Sequence, residues 1–545
     1  MSTTPDSGPG GGRGARAAFW VGAGIFLSRV AGFLRDAVLA FYLGNSRETD
    51  VWRAALRTPN VIQNLLGEGT LSASFIPVYA EFLEEGREEE AGRFAGAALG
   101  ILLVVAFGLA LLGILLAPFL IGVLFHEWDP GKQALTVRLV RIIFPMTATL
   151  VVSAWALGIL NSHRKFFVSY VAPVAWNAAI ITVMVFFGSL KGYEAAGRDP
   201  ELVTLMAWGA LTGGLLQLLV QLPWVVGLLS HFRLSLGRKV AGVREAIRNF
   251  IPVVAARGVV NISGLLDAVL AGLLAEAALS ILANAQTLYL LPISLFGMAI
   301  AASELPELSR NRKAVEEILV PRVRRSLRRM AFLLVPSALA YIFLGDVLTA
   351  ALFQRGEFGA ADTKAVHLVL AAYALGLPAS ASSRVLSSTF YALRETRTPA
   401  LIATGRVVLS LAVGAGLMFP LDGFQVGHLH LGAAGLALGS AAGAWVELIL
   451  LRRSLTRHLG PHGPGTGPVL RMVAAGLVAL VFGLGARSYL GFSLSPGALT
   501  ELLGVDSFLL NPLAALGTAG LFGVAYLGTT SLMGVGMPLR RRSSN

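Results

Sequence analysis

The sequence predicts an all-α polytopic membrane protein: about fourteen transmembrane helices, forming two pseudo-symmetric six-helix lobes plus two C-terminal helices. Composition, the length of the apolar runs and an internal repeat carry that prediction. Of 545 residues, 55% are hydrophobic and 14% charged, with a mean hydropathy of +0.70. A soluble domain carries about 25% charged residues. Apolar runs recur from residue 19 to residue 537, each near or above the roughly 20 residues that cross about 30 Å of hydrocarbon as a helix. Strand-type alternation is absent, and lipid satisfies no backbone polar group, so the spans must be helices.

The elements follow in order. Residues 1–16, rich in Gly, Ser and Pro, read as a disordered cytoplasmic N-terminus. The apolar run over residues 17–44 is too long for a signal peptide and contains Arg29, Arg35 and Asp36. Spans 1–6 fill 17–232, the N-lobe; spans 7–12 fill 233–457, the C-lobe. A linker rich in Gly and Pro follows at 458–468, then spans 13 and 14 in 469–537 and a basic tail at 538–545.

The net charge of +13 is explained by topology rather than by nucleic-acid binding. With the N-terminus inside, 28 Lys and Arg fall in inner loops and tails and 5 in outer ones (Arg47, Lys132, Lys191, Arg198, Arg355). That bias places both termini in the cytoplasm, with membrane lipid head groups as a secondary partner. Cysteine is absent, which excludes disulfides, thiolate metal sites and cysteine nucleophiles. No P-loop, H-E-x-x-H, G-x-S-x-G or dinucleotide glycine pattern is present, so the chain reads as a transporter and not an enzyme. No cofactor is implied. Without an ATP site, the energy must come from a coupling cation (Na+ or H+), the membrane potential, or the substrate's own gradient.

Three short matches recur six spans apart in the same order. Asp36-Ala-Val-Leu-Ala40 returns as Asp267-Ala-Val-Leu-Ala271. Phe75-Ile-Pro-Val-Tyr-Ala80 has a counterpart in Glu304-Leu-Pro-Glu-Leu-Ser309, and the turn Asn161–Phe166 in Ala392–Pro399. Together they argue for two halves of like orientation, with a site near the bilayer midplane.

Charges inside the spans mark that site, because an Arg at a helix centre costs about 2.5–3.5 kcal/mol on insertion scales and so faces a cavity or a partner. Ser28, Arg29, Gly32, Arg35 and Asp36 share one side of span 1, within roughly 120° of arc. Asp50, Arg53, Arg57, Asn60, Asn64 and Glu68 share one side of span 2, and Arg257, Asn261, Gly264 and Asp267 one side of span 7. Span 10 carries Arg384 among serines. Arg53 and Asp50 are equally explained by snorkelling to the surface, and Arg35, Arg57 and Glu68 by structural ion pairs between helices. A hydrated, net cationic cavity accounts best for stripes on adjacent spans, and arginine forks suit phosphate or pyrophosphate.

These residues resemble one family. Ser28-Arg-Val-Ala-Gly-Phe-Leu-Arg-Asp36, Thr49-Asp50, Pro59-Asn60, Gly67-Glu-Gly69 and Ser74-Phe-Ile-Pro77 look like the start of the MurJ (MviN) lipid II flippases. Leu352-Phe-Gln-Arg-Gly-Glu-Phe358, Tyr373 with Gly376, Phe390-Tyr391 and Thr398-Pro399 look like the same family's second half. The resemblance covers about residues 18–450 and implies a member of the multidrug/oligosaccharidyl-lipid/polysaccharide exporter superfamily. It would be a monomer in the bacterial inner membrane, moving lipid II to the outer leaflet by alternating access for peptidoglycan synthesis. Functional positions of the family match at Arg29, Arg35, Asp36, Asp50 and Glu68. Two positions depart: Gln63 and Asn64 stand where the family commonly has an arginine pair, and Thr287 where it has a cavity arginine. Arg257, with Arg384 second, is the expected replacement. The alternatives are export of another polyprenyl-pyrophosphate glycan, or small-molecule/cation antiport within the same superfamily.

Overall fold

The protein is described from a computed structural model over residues 10–190, 200–237, 239–297, 319–491 and 507–535. Two compact units emerge. One comprises residues 1–42 and 47–269, the other 43–46 and 270–545. By compactness, the helix expected to open the C-lobe therefore belongs largely to the first unit.

The first unit is built on α1 (Gly10–Leu43), α2 (Arg47–Leu66), the short α3 (Glu68–Ser74) and α4 (Ile76–Glu84), α5 (Glu88–Leu124) and α6 (Pro130–Ser162). The short α7 (Phe166–Val171), α8 (Pro173–Leu190), α9 (Pro200–Val226) and α10 (Val243–Gly272) complete it. Helix α6 is its axis, packing on α2, α5 and α9. It is apolar on nearly every side and correspondingly buried, as expected for a helix ringed by neighbours. Phe75 stacks on Phe94 at 5.2 Å and on Tyr79 at 5.3 Å. Gly158 lets α6 approach that stack, since a Cβ there would stand 3.1 Å from the Phe75 ring. Helix α5 turns Phe107, Leu111, Leu115 and Phe119 outward, a surface for lipid rather than water.

The second unit holds α11 (Ala278–Pro292), α12 (Val320–Phe353), α13 (Ala360–Ala374), α14 (Leu377–Ala392) and α15 (Arg397–Asp422). A two-residue antiparallel hairpin pairs Gln425 with His430, and α16 (Gly432–Leu459), α17 (Thr466–Leu490) and α18 (Ser507–Leu532) follow. Gly435, Gly439 and Gly443 form a ridge on α16 that seats it against the α15 backbone. A Cβ on Gly439 would lie 2.4 Å from the Ser410 carbonyl. Small residues at this spacing are the usual device for close helix approach in lipid. Helices α17 and α18 pack with α12 around Phe332, Leu344, Met472, Phe522 and Tyr526, and Arg487 pairs with Asp346 at 2.7 Å. Arg324 and Arg328 donate to the carbonyls of Pro461 and Pro464, tying the linker to α12.

Among the described residues, ten helices are long and apolar enough to cross a membrane, or eleven when α13 and α14, bent by 42°, count as one. The expected fourteen would add α1, α2 and α10. These helices form, with the charged stripes on them. The N-terminal stretch expected to be disordered is helical from Gly10 onward, because each residue added to an existing helix gains one hydrogen bond. Residues 1–9, the repeat copy Glu304–Ser309 and the tail 538–545 lie outside the described residues.

Candidate functional site: a polar cavity in the first unit

The break between α2 and α3 shapes the site. Gly67 leaves the helical region, with φ −83° and ψ −157°, and its missing side chain clears the Gln63 carbonyl, which a Cβ would meet at 2.4 Å. Side chains meet the carbonyls at the break. The Thr70 hydroxyl donates to the Leu65 carbonyl at 2.7 Å. The Arg257 guanidinium reaches the Asn64 carbonyl from α10 at 3.5 Å. It lies against Gly69, where a Cβ would sit 1.6 Å from Nη2. Glu68 is within Coulombic reach of the same guanidinium.

The side chains of α10 are held from α2 as well. Asn64 donates to Asn261 Oδ1 at 2.9 Å, and Asn261 donates to the Arg257 carbonyl at 2.9 Å. Arg57 Nε donates to the Gly264 carbonyl at 3.0 Å. On α1, Arg35 binds Asp36 at 3.0 Å, and Arg53 approaches the same carboxylate oxygen at 3.3 Å. The Arg35 guanidinium also lies 5.0 Å from the Trp176 ring centroid, a cation–π contact that orients it. A second buried pair, Asp50 with Lys132 at 3.1 Å, is backed by Trp128 at 4.0 Å from the ammonium.

Part of this network lines a cavity of about 620 Å³, within the range of pockets that hold drug-sized ligands. Of the expected site residues, Arg35, Gln63, Asn64, Glu68 and Arg257 line it. Asp36 is buried behind Arg35, holding it by the ion pair. Arg57 is engaged on Gly264, and Arg29 lies exposed on α1. Asp267 is half-buried on α10, outside the lining set. Arg384 belongs to the second unit, exposed on α14. Thr287 spends its hydroxyl on its own helix, donating to the Ala283 carbonyl.

A further, uncharged part of the lining escaped the sequence reading because it bears no charge. Ser153, Trp176, Asn177 and Gln217, from α6, α8 and α9, line it. The Ser153 hydroxyl donates to Gln221 Oε1 at 2.8 Å and accepts from Gln217 Nε2 at 3.0 Å. The one sequence signal was the pair Gln217 and Gln221, one turn apart in an otherwise apolar helix. No group of three or more His, Cys, Asp or Glu able to hold a metal ion occurs among the described residues.

A helical membrane protein with a polar, arginine-bearing cavity inside a bundle has the make-up of a transporter. Comparison with known proteins narrows the class. The family profile of lipid II flippase MurJ matches residues 39–504. A probable lipid II flippase MurJ of Rhizobium meliloti is 30% identical over 534 residues, covering 96% of each chain. The lipid II flippase MurJ of Burkholderia cenocepacia is 31% identical, covering 85% of this chain and 88% of its own. Among solved structures, a lipid II flippase MurJ in an inward closed conformation superimposes with a TM-score of 0.72. It is 20% identical and covers 94% of this chain and 98% of that one. An inward-facing MATE transporter of the MOP superfamily gives 0.63 at 15% identity, covering 79% and 95%. An outward-facing MATE transporter gives 0.53 at 16% identity, covering 81% and 96%. The chain belongs to the MurJ family of lipid II flippases, and is a multi-pass protein of the bacterial inner membrane.

Proposed function

We propose that the chain carries lipid II from the inner to the outer leaflet by alternating access, with both termini in the cytoplasm. The disaccharide-pyrophosphate head passes through the polar cavity while its polyprenyl tail stays in lipid. The observation that carries this reading is the placing of Arg35 and Arg257 on one cavity. Each is held by neighbours before any substrate arrives, so little ordering remains to be lost on binding. Arg35 is steered by Asp36 and Trp176. Arg257 rests on Gly69 and the Asn64 carbonyl, facing the region where Gln63 and Asn64 replace the family's arginine pair. Guanidinium forks match pyrophosphate oxygens two at a time. In this reading Arg257 supplies the positive charge that the departures at Gln63, Asn64 and Thr287 remove. A Na+ or H+ gradient, or the membrane potential, drives the cycle.

The test is replacement of the native flippase in cells depleted of it, with lipid II translocation measured in the same strains. The wild-type chain should support growth. Arg35→Ala and Arg257→Ala should each lower translocation at least tenfold while accumulating in the membrane at the wild-type level. Normal growth on Arg257→Ala would remove that residue from the substrate path.

A further inference from the structure

The cavity has two chemically different walls. The side made by α1, the α2–α3 break and α10 carries Arg35, Glu68 and Arg257; the side made by α6, α8 and α9 carries no charge among its lining residues. Trp176 stands where they meet, taking Arg35 over its ring while its indole N–H donates to the Ala210 carbonyl at 3.1 Å.

The uncharged wall is built rather than incidental. Gln217, Ser153 and Gln221 form a directed relay. The Ser153 hydroxyl proton goes to Gln221 Oε1, so the oxygen must accept from Gln217 Nε2. In that arrangement the Gln217 Oε1 is left unused among the described hydrogen bonds. Gln221 is wholly buried, and its Nε2 has no partner. Asn177 borders the cavity with its Nδ2 committed to the Pro173 carbonyl at 3.0 Å, and its unpartnered Oδ1 is buried, about 3.9 Å from where a Cβ on Gly32 of α1 would stand. Desolvated amide atoms without partners cost roughly 1–3 kcal/mol each, which purely structural packing would not retain in so apolar a chain.

We propose that Gln217 recognises the uncharged glycan of the substrate, its hydroxyl and acetamido groups, with Ser153, Gln221 and Asn177 as positioning residues. The cavity arginines take the pyrophosphate. This assignment rests on the lipid II reading above and deepens it. Pyrophosphate binding alone would let any polyprenyl pyrophosphate compete, including a carrier already stripped of its sugars. A wall of amides adds affinity only when the glycan is present, because a site built to hydrogen-bond a ligand rejects the analogue that lacks those groups.

The experiment titrates the full-length protein in lipid nanodiscs with two probes, lipid II and undecaprenyl pyrophosphate, and reads the ratio of their affinities. Gln217→Leu should weaken lipid II binding about tenfold, the worth of one or two neutral hydrogen bonds, and leave undecaprenyl pyrophosphate within about twofold. Ser153→Ala, which deletes a single oxygen, should lower the ratio in the same direction. It keeps the test decisive should Gln217→Leu fold poorly. Arg257→Ala should weaken both probes alike and leave the ratio unchanged. A wild-type ratio retained by both Gln217→Leu and Ser153→Ala would overturn the proposal. A wild-type protein that binds no lipid II would overturn the functional reading, and the glycan wall with it.

Discussion

Two glycines set the position of the central arginine. Gly67 permits the break in the α2–α3 helix, and Gly69, lacking a Cβ, leaves room for the Arg257 guanidinium beside it. Gly69→Ala adds a methyl where Nη2 now lies, so the guanidinium must swing away while its charge is kept. The expected outcome is a fall in transport between wild type and Arg257→Ala, with unchanged membrane accumulation and thermal stability. Wild-type transport would mean that the charge alone suffices, wherever its fork points. At the other end of α6, His163 follows the helix terminus and hydrogen-bonds the Tyr79 hydroxyl at 3.2 Å. Burial pushes its imidazole below the ordinary value of 6.5. The folded state thus binds this proton less readily than the unfolded chain, and stability falls as pH drops below about 6.5. The melting temperature should decline between pH 7 and pH 5, and His163→Gln should flatten that decline. An identical decline in the variant would move the effect to other groups.

At the scale of elements, charges inside the apolar bundle do two kinds of work. Arg35 and Arg257 face the cavity, whereas Asp346 and Arg487 lock α17 onto α12, with the carboxylate almost fully buried. Removing one partner of such a pair leaves a buried charge uncompensated, at a cost of about 3–5 kcal/mol, whereas replacing both with apolar residues is often neutral. Arg487→Met should therefore lower the melting temperature more than the double variant Arg487→Met/Asp346→Leu. Equal destabilisation by both would show that the pair carries little of the α12–α17 contact. The sequence alone could not separate these roles. Periodicity places a charge on a side of its own helix, but the helix it meets comes from a distant part of the chain.

For the whole molecule, the charge bias makes a prediction independent of any cavity. Reporter fusions after Gly86 and Ser235 should give cytoplasmic signals, and fusions after Glu127 and Gly359 periplasmic ones. A cytoplasmic signal at both Glu127 and Gly359 would reverse the assigned orientation. Helical class, membrane residence, family and the cationic stripes on α1, α2 and α10 were all legible in the sequence. They depend on local quantities: apolar run length, the insertion cost of each charge, and residue identity at short spacing. Only the tertiary structure decided that Arg257 meets the α2–α3 break, that Arg57 is spent on Gly264, and that Ser153, Asn177 and Gln217 form a second wall. An uncharged amide in a helix is compatible with packing, snorkelling or recognition alike. What distinguishes them is which donors and acceptors remain unpaired after the helices have packed, and no spacing along one helix contains that information.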